Sequence, residues 1–176
     1  FPPEKTAVVG NPIRRELLSP VSHGAYEFLG LTPDVPTILI LGGSQGAVTI
    51  NDSVLDILPK LLEKYQIIHQ VGAANLKDIE SRSKFVLEKN QWRDRYKIFA
   101  LLNTDALRMA AGIVALIISR GGSGGIFEVA AWGVPSIIIP IPEPLSHEQR
   151  QNAFTYARSG GAVVIDNKNP ARAIIH

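Results

Sequence analysis

The sequence predicts an α/β protein built as a Rossmann-like, doubly wound parallel sheet. Three observations carry this reading: short apolar runs bounded by turn residues, longer intervening segments with apolar residues at helical spacing, and glycine-rich loops directly after two of the runs. A strand that is apolar throughout is buried on both faces, so helices must cover the sheet above and below. Composition agrees. The 176 residues are 45% apolar and 19% charged, which supports one core and excludes a disordered chain. The longest unbroken apolar stretch, residues 113–118, is far short of the roughly 20 residues a bilayer crossing needs. With no cysteine there is neither a disulfide framework nor a thiolate metal site, which fits a reducing compartment. A net charge of +2 gives little reason to expect a nucleic-acid partner.

Taken in order, strand-like runs occupy residues 6–9, 37–41, 66–70, 96–99, 113–119, 136–139 and 162–165. Between the second and third, Ile50, Val54, Leu55, Leu58, Leu61 and Leu62 recur at helical spacing on a segment that also holds Pro59. Ala106, Leu107, Met109 and Ala110 mark another helix, and residues 147–158 a third, with Gln149, Asn152, Ala153 and Tyr156 on one side. The proline-rich stretch 140–144 reads as a loop. At the end of the sequence, Asn169 and Pro170 read as an N-cap and a first-turn proline. The helical pattern after them stops at His176, too soon to bury a face, and residue 1 is Phe with no signal segment behind it. The expectation is a single domain, residues 1–176, taken from a larger protein.

In such a sheet, ligands bind outside the carboxyl ends of the strands, so the loops there carry the functional signal. The first is Gly42-Gly43-Ser44-Gln45-Gly46. Its glycines let backbone approach a ligand, and the next helix N-terminus offers amide donors to an anion. Tight strand–helix turns need glycine in any case, and the loop matches neither the dinucleotide fingerprint nor a P-loop. The second, Arg120-Gly121-Gly122-Ser123-Gly124-Gly125, follows the most apolar strand. Two such turns at strand ends make a diphosphate cradle neutralised by helix dipoles. Glu128 lies about one turn into the following helix, in reach of ribose hydroxyls; the plainer alternative is a first-turn acid favoured by the dipole. In the third loop Ser146 reads as an N-cap with Gln149 completing a capping box. Glu148, Gln149 and Asn152 also lie within about a turn of one another, which suits hydrogen bonding to sugar hydroxyls. His147 reads as a polar loop histidine, and His23 and His69 support no catalytic role.

The ordered set Gly10-Asn11-Pro12-Ile13-Arg14, Gly42-Gly43-Ser44-Gln45-Gly46, His69-Gln70-Val71-Gly72, Ser119-Arg120-Gly121-Gly122, Glu128-Val129-Ala130-Ala131 and His147-Glu148-Gln149 with Asn152-Ala153 covers nearly the whole chain. It resembles the carboxy-terminal half of the MurG family, bacterial peptidoglycan glycosyltransferases of GT-B fold in glycosyltransferase family 28. The resemblance implies a Rossmann-like donor domain, one of two facing each other across a cleft. It implies a hexosyltransferase that moves N-acetylglucosamine from its UDP donor onto lipid I to give lipid II, and so serves peptidoglycan synthesis, cell shape and division. By the same resemblance Arg14 and Ser44 look like donor-binding positions. Ser123, Gly124 and Gly125 match the diphosphate loop, Glu128 the ribose acid, and Gln149 and Asn152 the sugar-binding amides. Glu148 stands where relatives often have Gln or His.

The family's uracil contact falls in residues 100–107, where Asn103 or Thr104 provides the main-chain group and Asn103 is preferred. Ala115 stands where relatives carry an aspartate. Arg120 is either a cation for the departing diphosphate or a structural ion-pair residue. No Asp-x-Asp occurs, so neither metal nor cofactor is expected. The implied partners are UDP-N-acetylglucosamine here and, through an amino-terminal half, lipid I and the inner face of the cytoplasmic membrane. That half is also expected to hold the general base, so this chain alone is expected to be inactive. Two alternatives stay open. One is a donor domain of another UDP-sugar transferase or an epimerase of the same fold, and the other is a stand-alone nucleotide-sugar binding module.

Overall fold

The computed structural model describes residues 2–7, 10–43, 46–142, 146–165 and 170–175. Six strands form one sheet: β1 (Thr37–Leu41), β2 (Gln66–Gln70), β3 (Tyr96–Phe99), β4 (Val114–Ser119), β5 (Ser136–Ile138) and β6 (Ala162–Val164). Their order is β3-β2-β1-β4-β5-β6, and each neighbouring pair is parallel. The helices are α1 (Ala25–Leu29), α2 (Val48–Leu61), α3 (Leu76–Val86), α4 (Thr104–Ala111), α5 (Ser123–Trp132), α6 (His147–Ala157) and α7 (Pro170–Ile175).

Alternation along the strands sends successive side chains to opposite faces, and both faces are dry. Ile38, Ile40, Ile67 and Ile118 pack with Val54 and Leu58 of α2, with Ile79 of α3, and with Ala171 and Ile174 of α7. Leu39, Ile68 and Ile117 pack on the other side with Leu29 of α1, Leu107 of α4 and Val129 of α5. Ile40, Ile50, Leu58, Ile67 and Ile118 are wholly buried. At about 25 cal/mol per Å² of apolar surface, these two clusters supply the main force holding the helices to the sheet.

The first three strands of the sheet match the apolar runs of the sequence residue for residue. The run at 6–9 differs: Thr6 and Ala7 form no strand, and Val8 and Val9 lie outside the described residues. Ala115 sits inside β4 where the β1–β4 register shifts, and it is exposed there. Pro59 lies in the last turn of α2, where it forgoes the one bond its N–H would have made to the Leu55 carbonyl and leaves the earlier turns intact. The short α7 has a partner after all, since Pro170 is buried and Ala171 and Ile174 reach the core; Asn169 lies outside the described residues. No helix among the described residues is long and apolar enough to cross a membrane.

Strand order reverses between β1 and β4. Their carboxyl ends carry the two glycine loops, so the fold brings both loops to the one crevice where an open parallel sheet binds ligands.

Candidate functional site

A cleft of about 770 Å³ opens at this switch point. One wall is the end of β1 with Gly42, Gly43 and Gly46 and the first turn of α2. The opposite wall is Ser119, Arg120 and Gly122, with Gly125 and Glu128 of α5 and Gln149 of α6. Leu101, Leu102, Arg14 and Pro142 also line the cleft.

Backbone packing explains why glycine stands in these loops. Gly46 has φ +77°, and a Cβ there would run into the Val71 carbonyl and the Asn75 side chain. A Cβ on Gly121 would run into the Gln149 carbonyl, so the α6 backbone crosses directly over the second loop. Neither α2 nor α5 has a side-chain cap at its N-terminus: Ala47 and Gly122 occupy the N-cap positions and contribute no bond. First-turn N–H groups have no partner within a helix, so among the described residues both ends present free donors and a positive dipole end to the cleft.

The charged groups are arranged around these helix ends. Arg14 donates from Nε and Nη2 to one oxygen of Glu128, Oε1, at 3.1 and 3.0 Å. Glu128 is the sixth residue of α5, in its second turn, and its side chain is only 20% exposed. The first-turn reading of this acid is therefore corrected: the macrodipole falls off by that depth, and a cation holds the carboxylate instead. Arg120 donates from Nη1 to the carbonyls of Ile139 and Pro140 at 3.2 and 3.3 Å, and burial pulls its guanidinium below the ordinary value. Among the described residues it pairs with no carboxylate. Its charge remains on the cleft wall.

The sequence-predicted site residues divide in space. Arg14, Gly125, Glu128 and Gln149 line the cleft. Ser44 lies outside the described residues. Asn103 adjoins the cleft through Leu102, but its Oδ1 accepts from the Ala106 N–H at 2.8 Å and caps α4. Ser123 and Asn152 line a second hollow, about 560 Å³, between α5 and α6. Gly124 and Glu148 are exposed on the first turns of α5 and α6.

The capping box at α6 is absent. Ser146 makes no side-chain cap bond, and Gln149 Oε1 accepts from the Ile141 N–H at 3.4 Å. The wedge of Gly121 against the α6 backbone turns Gln149 toward the cleft, which removes it from the cap. Asn152 Nδ2 donates to the Gly121 carbonyl at 3.3 Å. Both amides thus hold the second loop and its neighbour in place.

Of the cleft residues not singled out from the sequence, one carries a nearly buried amide. Gln70, in the quoted run His69-Gln70-Val71-Gly72, lines the cleft at the end of β2. The signal was available: a polar side chain closing a buried strand must find partners. His69 just before it faces the other way and lies wholly buried, between Tyr96 Oη at 2.7 Å and Asn51 Oδ1 at 3.1 Å.

The model of the glycosyltransferase family 28 C-terminal domain matches residues 37–174, a span that holds every strand of the sheet. The chain belongs to this family. A relative from Bacillus thuringiensis (strain Al Hakam) is 36% identical over 166 residues, 94% of this chain and 44% of its own length. That relative is named UDP-N-acetylglucosamine--N-acetylmuramyl-(pentapeptide) pyrophosphoryl-undecaprenol N-acetylglucosamine transferase 3. A transferase of the same description from Shouchella clausii (strain KSM-K16) is 35% identical over 170 residues, 96% of this chain and 45% of its own. This family 28 chain therefore spans a little under half the length of the relatives it matches. Among solved structures, MurG of Acinetobacter baumannii aligns with TM-score 0.66 and 24% identity over 98% of this chain and 49% of that one. This likeness supports the fold: the family 28 domain here has the architecture of a GT-B carboxy-terminal domain.

Proposed function

We propose that this chain is the donor-binding domain of an N-acetylglucosaminyltransferase and that its cleft takes UDP-N-acetylglucosamine. The observation that carries this is the pair of uncapped helix N-termini, α2 and α5, facing one cleft from either side of the switch point. A diphosphate is the ligand such a pair suits best, because free N–H groups and two dipole ends neutralise it without a metal. Arg14 and Arg120 add positive charge on the same walls. As the sugar departs, negative charge grows on the UDP, and preoriented donors in a partly desolvated cleft stabilise that charge. Glu128 accepts from the ribose hydroxyls and Gln149 serves the sugar hydroxyls, while Asn152, in the neighbouring hollow, holds the Gly121 carbonyl and so the loop against which the sugar lies; the main chain near Asn103 takes the base.

The relatives' names extend the reading to the whole protein. Those names give the acceptor as N-acetylmuramyl-(pentapeptide) pyrophosphoryl-undecaprenol; the reading proposed for the whole protein is that it converts this lipid I to lipid II at the cytoplasmic membrane. Deprotonation of the acceptor hydroxyl belongs to the other half, so this chain alone binds donor and transfers nothing. Calorimetry of the chain with UDP and UDP-N-acetylglucosamine, with and without EDTA, tests the proposal. Saturable binding that EDTA leaves unchanged is expected. Absence of binding to both ligands, or binding lost on chelation, contradicts it.

A further inference from the structure

We propose that Gln70 is a positioning residue of the donor site, whose side-chain amide sets the separation between the glycine loop after β1 and the loop after β3. The inference rests on the donor-binding reading above, since these loops form two walls of the cleft that would hold the nucleotide.

Gln70 ends β2, which lies between β1 and β3, and it is 5% exposed. Its Oε1 accepts from the Leu102 N–H at 2.9 Å, and its Nε2 donates to the Gly43 carbonyl at 3.3 Å. One amide orientation alone satisfies both partners, because an N–H needs the oxygen and a carbonyl needs the nitrogen. Main-chain bonds carry each loop only to its start. The Gly42 N–H donates to the Gln70 carbonyl, and the Val71 and Gly72 N–H groups donate to the carbonyls of Phe99 and Ala100. The amide of Gln70 reaches one step further on each side, to residues 43 and 102, where the loops have left the sheet.

A purely structural role would not call for an amide here. Ile68, two residues earlier on the same face, is wholly buried and apolar. A leucine at 70 would fill similar space without the cost of burying an amide. What leucine cannot do is join Gly43 to Leu102 across the floor of the cleft.

Two variants of the chain test this by calorimetry with UDP-N-acetylglucosamine. Gln70→Leu removes both bonds, and affinity should fall about tenfold. Gln70→Glu keeps the acceptor but loses the donor at pH 7.5, so it should also bind weakly. On acidification the protonated carboxyl regains an O–H donor beside its carbonyl and replaces the amide. Its affinity, relative to the unmodified chain at the same pH, should therefore recover toward pH 5.5. Recovery is a signature that a packing role does not produce. Amide exchange at Leu102 in the absence of nucleotide should be faster in Gln70→Leu than in the unmodified chain. Affinities within about twofold of the unmodified chain in both variants, or equal weakness of Gln70→Glu at both pH values, would overturn the proposal. So would unchanged exchange at Leu102. If the unmodified chain binds no UDP-sugar, the donor reading fails, and Leu102 exchange still decides whether Gln70 clamps the two loops.

Discussion

Arg14 places two N–H groups on a single oxygen of Glu128, so among the described residues the second carboxylate oxygen has no protein donor. Glu128 lines the cleft from the second turn of α5, and an oxygen left to accept is what a ribose diol needs. Arg14 is half exposed, so the pair itself contributes little to stability, about 0–1 kcal/mol. Affinity and stability should therefore separate in Glu128→Ala. UDP binding should weaken by about tenfold to a few hundredfold, as expected for losing charge-assisted bonds of roughly 1.5–3 kcal/mol each. The unfolding free energy should change by no more than about 1 kcal/mol. Calorimetry with UDP and 2′,3′-dideoxy-UDP checks this, because the variant should no longer distinguish the two ligands. Equal UDP affinity in variant and unmodified chain would assign the ribose contact elsewhere. Glu128 was legible in the sequence as an acid after a glycine loop. Its bond to Arg14, 114 residues away, was not, because only the folded sheet brings them together. Gln149 shows the same limit: the local pattern Ser146-x-x-Gln149 reads as a capping box until α6 meets Gly121.

At the scale of elements, β2 is tied to its neighbours by a buried polar chain on the face opposite Gln70. Asn51 of α2 donates from Nδ2 to the Val71 carbonyl at 3.1 Å, so its Oδ1 faces His69 and accepts from Nε2–H. His69 Nδ1 is left to accept the Tyr96 O–H at 2.7 Å. The network therefore requires the neutral Nε2–H tautomer, with every proton assigned. Burial drives the same result, pulling the His69 pKa down to about 3 from an ordinary 6.5. The folded value is depressed, so between pH 6.5 and about 3 the unfolded chain binds a proton that the folded chain refuses. Stability from this group is full above pH 6.5 and falls as pH drops, by about 1.4 kcal/mol per pH unit within that window. Nitrogen chemical shifts should report the neutral Nε2–H ring unchanged from pH 8 to pH 4.5, while denaturant unfolding loses stability over the lower part of that range. A His69 titration midpoint above pH 5 would contradict the network. The same carbonyl of Val71 also accepts from Asn75 Nδ2 and abuts Gly46, so the network braces the first glycine loop from beneath.

Across the whole molecule, the sheet was legible because its strands are punctuated. Pro36 precedes β1 and Gly42 follows it, Pro135 precedes β5, and the central strands β1 and β4 are almost wholly apolar. Continuous burial on both faces then dictates helices on both sides, which is the observed layering. The strand order, and with it the meeting of two loops separated by about 80 residues of sequence, is set by how the crossover helices pack and cannot be read from periodicity. The central claim is that a nucleotide diphosphate sits on the N-termini of α2 and α5. Amide hydrogen exchange of the chain with and without UDP-N-acetylglucosamine tests it most directly, because first-turn amides exchange freely until a ligand accepts from them. Slowed exchange at Val48 and Thr49 and at Ser123, Gly124 and Gly125, with α3 and the outer edge of β3 unaffected, is the predicted footprint. Protection confined to the hollow between α5 and α6 or to the β3 edge, with those five amides unchanged, would contradict it.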